Sequence, residues 1–360
     1  MAGRPFALRC DLSEDLPPDA LEGGWLAFQE VGAERGPLAA DLAPIGVFGT
    51  DNRQIQDHLR SHVTFQLILL DDECSGKLAK LAVEQCRSLR YHGGEMEALI
   101  ARAARDLLNA TYAIALTGAG MSTESGIPDF RGPSGIWTKN PAAERRAYQS
   151  YSRFVVDPAA WWKERLAALG GGHGWAEAEP NAGHYALAEL EDMGILKAVL
   201  TQNIDSLHEK AGSKHVLEYH GSMVKLRCQS CGSRFPIGDF DLEELGRTGD
   251  LPPRCPGCHG VLKTDTVEFG EPIPADVAML SRDEARQCDL MLICGTSAVV
   301  YPFASLPAIA RERAGVTIIE VNAQPTPLTE GGISDYLIQG KTGEVLPAIV
   351  SHVYEHRREH

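Results

Sequence analysis

The sequence predicts an α/β fold: a doubly wound parallel sheet carrying a smaller lobe, preceded by a small α+β unit. Three observations carry this. From Glu95 onward, short apolar runs ending in small or polar residues alternate with helix-period segments, the pattern of strands buried on both faces between crossover helices. Two stretches, 131–180 and 226–262, interrupt the alternation and read as insertions forming the smaller lobe. The first 92 residues follow a different pattern, which stops at the punctuation point His92-Gly-Gly94.

In chain order, Phe6 to Cys10 reads as a strand, Asp11 to Asp19 as an acidic loop with prolines, and Val63 to Leu70 as a second strand. Lys77 to Arg90 places Leu78, Leu81, Ala82 and Cys86 on one helix face. No chemistry-bearing motif occurs in residues 1–92, which are set apart as an N-terminal domain. The second domain, 95–355, opens with a helix over Met96 to Leu108 and a buried strand over Ala110 to Leu116. A helix over Ala182 to Met193 leads to a strand at Leu196 to Leu200. Asp289 to Cys294 is a third strand, followed by a helix over Ala304 to Arg313, and Val316 to Val321 is a fourth. In such sheets ligands bind at the carboxyl ends of the strands.

Composition narrows the class. Of 360 residues, 44% are hydrophobic and 23% charged, ordinary for a globular protein. A net charge of −15 argues against general affinity for nucleic acid or acidic membranes, and suits lysine-rich partners. No apolar run approaches the roughly 18 residues of a membrane span. There is no apolar leader pattern at the start, and the nine cysteines are odd in number with four in C-x-x-C pairs. A reducing, cytoplasmic setting is expected. Oligomeric state is left open.

The pairs Cys228-Gln-Ser-Cys231 and Cys255-Pro-Gly-Cys258 carry a strong metal signal. Four thiolates close a tetrahedron around one zinc with no open position, which predicts a structural site. Such binding contributes roughly 10–16 kcal/mol in small modules, enough to fold the 226–262 lobe. His259 adjoins the site without being needed, and Cys288 and Cys294 are read as core.

After the Ala110 strand comes Gly118-Ala-Gly-Met-Ser-Thr-Glu-Ser-Gly-Ile-Pro-Asp-Phe-Arg-Gly132. Glycines at 118 and 120 let backbone N–H groups approach a pyrophosphate. The spacing to Gly126 and the Pro-Asp-Phe-Arg segment depart from the ordinary dinucleotide fingerprint. The whole string resembles the cofactor loop of the sirtuins, NAD-dependent protein-lysine deacylases. Further strings agree with it: Thr201-Gln-Asn-Ile-Asp-Ser-Leu-His208, Val216-Leu-Glu-Tyr-His220-Gly-Ser222, Gly295-Thr-Ser297, Glu320-Val-Asn322 and Gly340-Lys-Thr-Gly-Glu-Val-Leu-Pro347. The resemblance covers about residues 95–350.

The resemblance implies a Rossmann-like large lobe and one NAD consumed per reaction. It makes His220 the base and Asn203 its catalytic companion. The NAD contacts it implies are Gly118, Ala119, Gly120, Ser122, Ile127, Pro128, Asp129, Phe130, Arg131, Trp137, Gln202, Asn203, Asp205, His220, Gly295, Thr296, Ser297, Asn322, Lys341 and Thr342. Gln202 would meet the ribose, Asp205 the carboxamide, Arg131 the phosphates, and the 340–347 loop the adenine; His208 would be structural. Val267, Glu268, Phe269, Gly270, Glu271, Val300 and Tyr301 would flank an acyl-lysine peptide bound as an added strand. The implied products are free lysine, nicotinamide and O-acyl-ADP-ribose. Two departures bear on the acyl group. Position 268, often apolar in members that remove acetyl groups and lining their peptide channel, is Glu268. The Tyr-x-x-Arg pair of members that remove dicarboxylic groups is replaced by Arg165-Leu-Ala-Ala168, which leaves Arg165 to meet an acidic chain. Transfer of ADP-ribose to protein, simple NAD hydrolysis, and a non-catalytic NAD or ADP-ribose sensor are the alternatives.

Overall fold

The computed structural model describes residues 6–9, 26–30, 65–69, 94–132, 135–169 and 177–358. The chain divides into two compact units, Met1–Glu95 and Met96–His360. In the first, β1 (Phe6–Arg9), β2 (Leu26–Glu30) and β3 (Phe65–Leu69) form an antiparallel sheet with β3 central. β1 and β3 fall where strands were expected; β2 was not foreseen. The expected 77–90 helix and the 11–19 loop lie outside the described residues.

The strands of the second unit are, in chain order, β4 (Ala113–Thr117), β5 (Leu196–Thr201), β6 (Val216–Glu218), β7 (Lys225–Cys228), β8 (Arg234–Pro236), β9 (Leu262–Thr264), β10 (Leu290–Cys294), β11 (Thr317–Asn322) and β12 (Tyr336–Gln339). Six of them form one parallel sheet in the order β12-β11-β10-β4-β5-β6. Every residue of β4 and β10 is buried, as their unbroken apolar sequences require. Helices cover both faces. Ile100, Leu107, Leu187, Leu190, Leu346 and Ile349 pack on one side, from the helix over 94–109, Ala182–Asp192 and Thr342–Arg358. Ala285, Phe303, Leu306 and Ala310 pack on the other. Each such aliphatic side chain contributes about 1.5–3 kcal/mol of burial.

The chain leaves β4 toward β5 and β6, then returns on the opposite side of β4 through β10. The strand order therefore reverses between β4 and β10, with Thr117 level with Cys294. A crevice opens at such a switch point.

Both insertions build the smaller lobe. Helices Pro141–Val156 and Pro158–Leu169 pack against the antiparallel sheet β8-β7-β9 through Phe154, Trp161, Trp162, Leu226 and Leu262. Trp162 is wholly buried, and its indole N–H donates to the Leu262 carbonyl at 2.8 Å. The insertions thus share one core.

Three expectations shift. The strand expected from Ala110 begins at Ala113, because the Thr111 and Tyr112 amides donate to the Asp289 carboxylate instead of a ladder. The helix expected over Ala304 to Arg313 is split into a 3-10 turn, Phe303–Ser305, and Leu306–Arg311. The loop expected at 340–347 is mostly helix, since Thr342–Arg358 is helical and includes Pro347. Among the described residues no helix is long and apolar enough to cross a membrane.

Candidate active site

The loops that follow β4 and β10 touch backbone to backbone. Gly118 N–H donates to the Cys294 carbonyl at 3.2 Å and Gly120 N–H to the Gly295 carbonyl at 2.8 Å. A Cβ on Gly118 would stand 2.6 Å from the Thr296 Cβ, and one on Gly295, whose φ is +59°, would stand 2.3 Å from the Met121 nitrogen. The sequence reading aimed these two amides at a pyrophosphate. The structure gives them protein acceptors, so the glycines serve the close approach of the two loops. Ala119 to Ser125 then form a 3-10 helix in which Met121 and Ser122 are buried.

A polar knot follows β5. Asn203 Nδ2 donates to the Gly118 carbonyl and to Ser122 Oγ, both at 3.0 Å, and Ser122 Oγ donates to Asp205 Oδ2 at 2.7 Å. The other Asp205 oxygen accepts the Leu207 N–H at 3.0 Å. Burial pushes the Asp205 pKa up, and these hydrogen bonds hold it back. Gln202 Nε2 donates to Thr296 Oγ1 at 2.8 Å, which ties the segment to the β10 loop. His208 is buried against the Thr117 hydroxyl at 2.9 Å, as a structural histidine would be.

His220 lies beyond β6, half-buried, with Nδ1 3.2 Å from the Gln202 carbonyl. A carbonyl only accepts, so Nδ1 carries the proton and Nε2 is left with its lone pair. Desolvation pushes the His220 pKa down to about 4, against a small opposing pull from the Gln202 hydrogen bond. The ring is therefore neutral at physiological pH. The His220 carbonyl accepts the Val267 N–H at 2.8 Å, which joins this residue to the segment after β9.

Residues 127–137 form the next wall. Ile127 is buried with Ala178 and Leu207, while Pro128 and Phe130 are exposed. Asp129 Oδ1 accepts the Gly132 N–H, and the Phe130 carbonyl accepts the Trp137 N–H at 2.9 Å. The Arg131 guanidinium lies over the Trp137 ring at 4.5 Å and 3.9 Å from Glu144. Trp137 lies 5.6 Å from Phe269, and Phe269 lies 4.3 Å from Tyr148.

Along Val267–Glu271, neighbouring side chains part company. Phe269 joins that aromatic cluster, whereas Glu268 lies 3.9 Å from Arg165. Position 268, apolar in the expected channel, thus carries a carboxylate facing Arg165, whose Nε is buried without a hydrogen-bond partner among the described residues. Glu271 anchors the segment, taking the Glu268 N–H at 3.0 Å, Lys263 Nζ at 3.0 Å and Arg227 at 2.7 Å. Gly270 turns the chain at φ +82°. Lys263 is wholly buried and was not anticipated, since a lysine in Leu-Lys-Thr-Asp-Thr gives no hint of burial. Opposite, Ser297 and Tyr301 are exposed and Val300 half-buried.

At the far end, Asn322 is buried and donates to Glu320, which also takes the hydroxyls of Thr326, Thr329 and Ser334. Lys341 is exposed and paired with Glu344 at 3.0 Å. The Thr342 Oγ1 is buried with no partner among the described residues.

Separate from this crevice, the sulfurs of Cys228, Cys231, Cys255 and Cys258 lie within 4.8 Å of one another. Cys228 to Cys258 is 3.4 Å and Cys231 to Cys255 is 3.8 Å, with no disulfide. A tetrahedral zinc with Zn–S of about 2.3 Å sets sulfurs about 3.8 Å apart, so the cage is of metal-binding size. A Cβ on Gly260 would meet Cys228 Sγ at 2.9 Å, which explains the glycine beside the second pair. His259 is exposed and not among the clustered ligands.

Comparison with known proteins places these features in context. The Sir2 family matches residues 118–302. NAD-dependent protein deacylase 2 of Archaeoglobus fulgidus is 45% identical over 271 residues, covering 73% of this chain and all of that protein. The NAD-dependent protein deacetylase of Sulfurisphaera tokodaii is 43% identical over 248 residues, covering 69% and 93%. Among solved structures, a Sir2 homolog–NAD complex superposes with a TM-score of 0.57 at 39% identity, covering 71% and 94%. Sir2Af2 bound to a myristoylated histone peptide does so at 0.53 and 40%, covering 72% and 98%.

Proposed function

The chain belongs to the Sir2 family, and from that membership we propose the following reading of an NAD-dependent protein-lysine deacylase, with acetyl-lysine as its substrate. The observation that carries it is His220: its tautomer is set by the Gln202 carbonyl, its Nε2 is free, and it stands between the Asn203–Ser122–Asp205 knot and the Val267–Glu271 segment.

The crevice suits a dinucleotide on its own terms. The β4 and β10 loops meet with no side chain between them, and Thr342 Oγ1 is a buried polar atom awaiting a partner. Gln202, Asn203, Asp205, Thr296 and Asn322 would hold it, on the backbone that the Gly118, Gly120 and Gly295 contacts fix. When bound, NAD would supply the ribose carbon that takes the acyl oxygen as nicotinamide departs, and one water is consumed in reaching O-acyl-ADP-ribose and free lysine.

The chain's own part is positioning and proton transfer. Asp205, held by Ser122 and the Leu207 amide, offers a fixed carboxylate for an amide group. Asn203 is pinned by two hydrogen bonds from Nδ2, which fixes its side-chain amide between the Gly118 and Ser122 loop and the β5 end. His220 Nε2 accepts a proton from a ribose hydroxyl, a role contributing about 10²–10⁴-fold. Phe130 and Trp137 screen the centre from water. Val267 to Glu271 and Val300 to Tyr301 clasp the peptide through main-chain bonds, which fixes register without demanding one sequence. The Arg165–Glu268 pair is electrically balanced, favouring a neutral acyl chain. The four cysteines would hold one structural zinc, tying β7 to the 255–258 turn.

Incubation with NAD and an acetyl-lysine peptide, followed by mass spectrometry, tests the reading. O-acetyl-ADP-ribose is expected in step with deacetylated peptide. Nicotinamide release at the same rate without peptide would instead mark an NAD hydrolase, and ADP-ribose on protein a transferase.

A further inference from the structure

Two turns meet beside β7, one carrying the base and one carrying the peptide segment. Glu218 to Gly221 form the first, closed by the Gly221 N–H donating to the Glu218 carbonyl at 2.9 Å, with His220 inside it. Asp265 lies flush against this turn: a Cβ on Gly221, whose φ is +70°, would stand 2.0 Å from the Asp265 carbonyl oxygen. Two residues on, the Val267 N–H donates to the His220 carbonyl at 2.8 Å. In the second turn the Glu271 N–H donates to the Glu268 carbonyl at 3.0 Å, and the Glu271 carboxylate takes the Glu268 N–H at 3.0 Å. Asp265 is thus the contact to the base, and Glu271 the clamp of the peptide segment.

One side chain joins these two carboxylates. Arg227, on β7, donates from Nε to Asp265 at 2.8 Å and from Nη2 to Glu271 at 2.7 Å. The Asp265 and Glu271 side chains are only 1% and 2% exposed, so solvent screens these contacts little. A guanidinium is planar with its donors at fixed angles, so bonds to two acceptors fix those acceptors relative to each other. The neighbouring cations do not span the pair. Arg234 holds Asp265 at 3.1 Å, but its other end goes to Asp276 at 2.9 Å. Lys263 meets Glu271 at 3.0 Å and the Thr264 and Thr266 carbonyls. Without Arg227, each buried carboxylate would therefore keep one cation, which separates the bridge from the requirement that buried charges be paired.

We propose that Arg227 is a positioning residue for deacylation, holding the His220 turn and the peptide-clasping turn at one fixed separation. The proposal rests on the deacylase reading above, in which Val267–Glu271 clasps the peptide and His220 takes the proton. Arg227 acts through Asp265 on one side and Glu271 on the other, so its loss lets the bound acyl group and the base drift apart while both turns persist.

The test compares wild type, Arg227→Met, Arg227→Lys and Arg234→Met by melting temperature, NAD affinity and acetyl-lysine peptide kinetics at saturating NAD. Arg227→Met is expected to lower kcat/KM for the peptide by about 10- to 100-fold, with KM raised and kcat lowered, while the Kd for NAD stays within about threefold. Arg227→Lys keeps the charge without the fork, and should recover the melting temperature but not kcat/KM; it decides alone if the methionine variant does not fold. Arg234→Met cuts the other bond to Asp265 without touching the bridge, and should cost stability while leaving the peptide KM near the wild-type value. Arg227 variants whose kcat and peptide KM match the wild type once corrected for the folded fraction overturn the proposal. So does full kinetic recovery by lysine, or an equal kinetic loss in Arg234→Met. A wild type that turns over no acylated peptide defeats the deacylase reading itself, and the positioning role with it.

Discussion

Acidifying the assay from about pH 7 to about pH 5.5 should barely slow the reaction. The base is partly desolvated: His220 is half-buried and neutral because desolvation pushes its pKa down to about 4. A base with that pKa stays about 97% neutral at pH 5.5, whereas an ordinary histidine near 6.5 would be only about 9% neutral. From pH 7 the free-enzyme kcat/KM should fall by less than about twofold, against about eightfold for an unperturbed ring. The assay is initial-rate deacetylation at low peptide and saturating NAD across that range, with circular dichroism at each pH to show the fold intact. An acid limb centred near pH 6.5 would refute the reasoning, because it would mean the imidazole is solvated rather than enclosed.

Buried His184 has its pKa lowered by desolvation to about 4, so the unfolded chain takes up a proton that the native state refuses. Stability should therefore fall as the pH drops below about 6.5, with His184 contributing about 2 kcal/mol of the loss between pH 7 and pH 5; His208 and His220, lowered by the same burial, add to the slope, so His184→Asn should make the urea-unfolding profile shallower without flattening it. A flat profile in the wild type would contradict it. Gly295→Ala forces a Cβ to 2.3 Å from the Met121 nitrogen at positive φ, and should destabilise by about 2–4 kcal/mol while weakening NAD binding. An unchanged melting temperature would show that the two loops are not in contact. Elemental analysis should find one zinc per chain, lost in Cys258→Ser; tryptophan emission should shift red as the Trp162 layer loosens, while the parallel sheet keeps its far-ultraviolet signal. Full native emission without metal would oppose a structural role.

The large lobe was legible because its strands are buried on both faces. Ala-Ile-Ala-Leu and Leu-Met-Leu-Ile-Cys have no other stable setting, and each ends in the small residues a ligand crevice needs. β6 and β12 were not foreseen, being a three-residue strand and a half-buried edge whose pairing is decided by neighbours. The four cysteines announced their own cluster through spacing alone. What the sequence could not display is the loop-to-loop contact that occupies the Gly118 and Gly120 amides, since Gly295 lies far along the chain and meets them only through the strand switch. The Arg165–Glu268 pair and the buried Lys263 were hidden as well. The first pairs residues about a hundred positions apart; the second is local in sequence, between β9 and the segment after it, but lysine burial there depends on how that segment folds back.

The most direct trial of the account is His220→Ala, assayed beside the wild type for O-acetyl-ADP-ribose and for NAD binding. Loss of about 10²–10⁴-fold in product formation is expected, with NAD still bound by the crevice. Undiminished O-acetyl-ADP-ribose from the variant would show that another group moves the proton, and the assignment of His220 would be wrong.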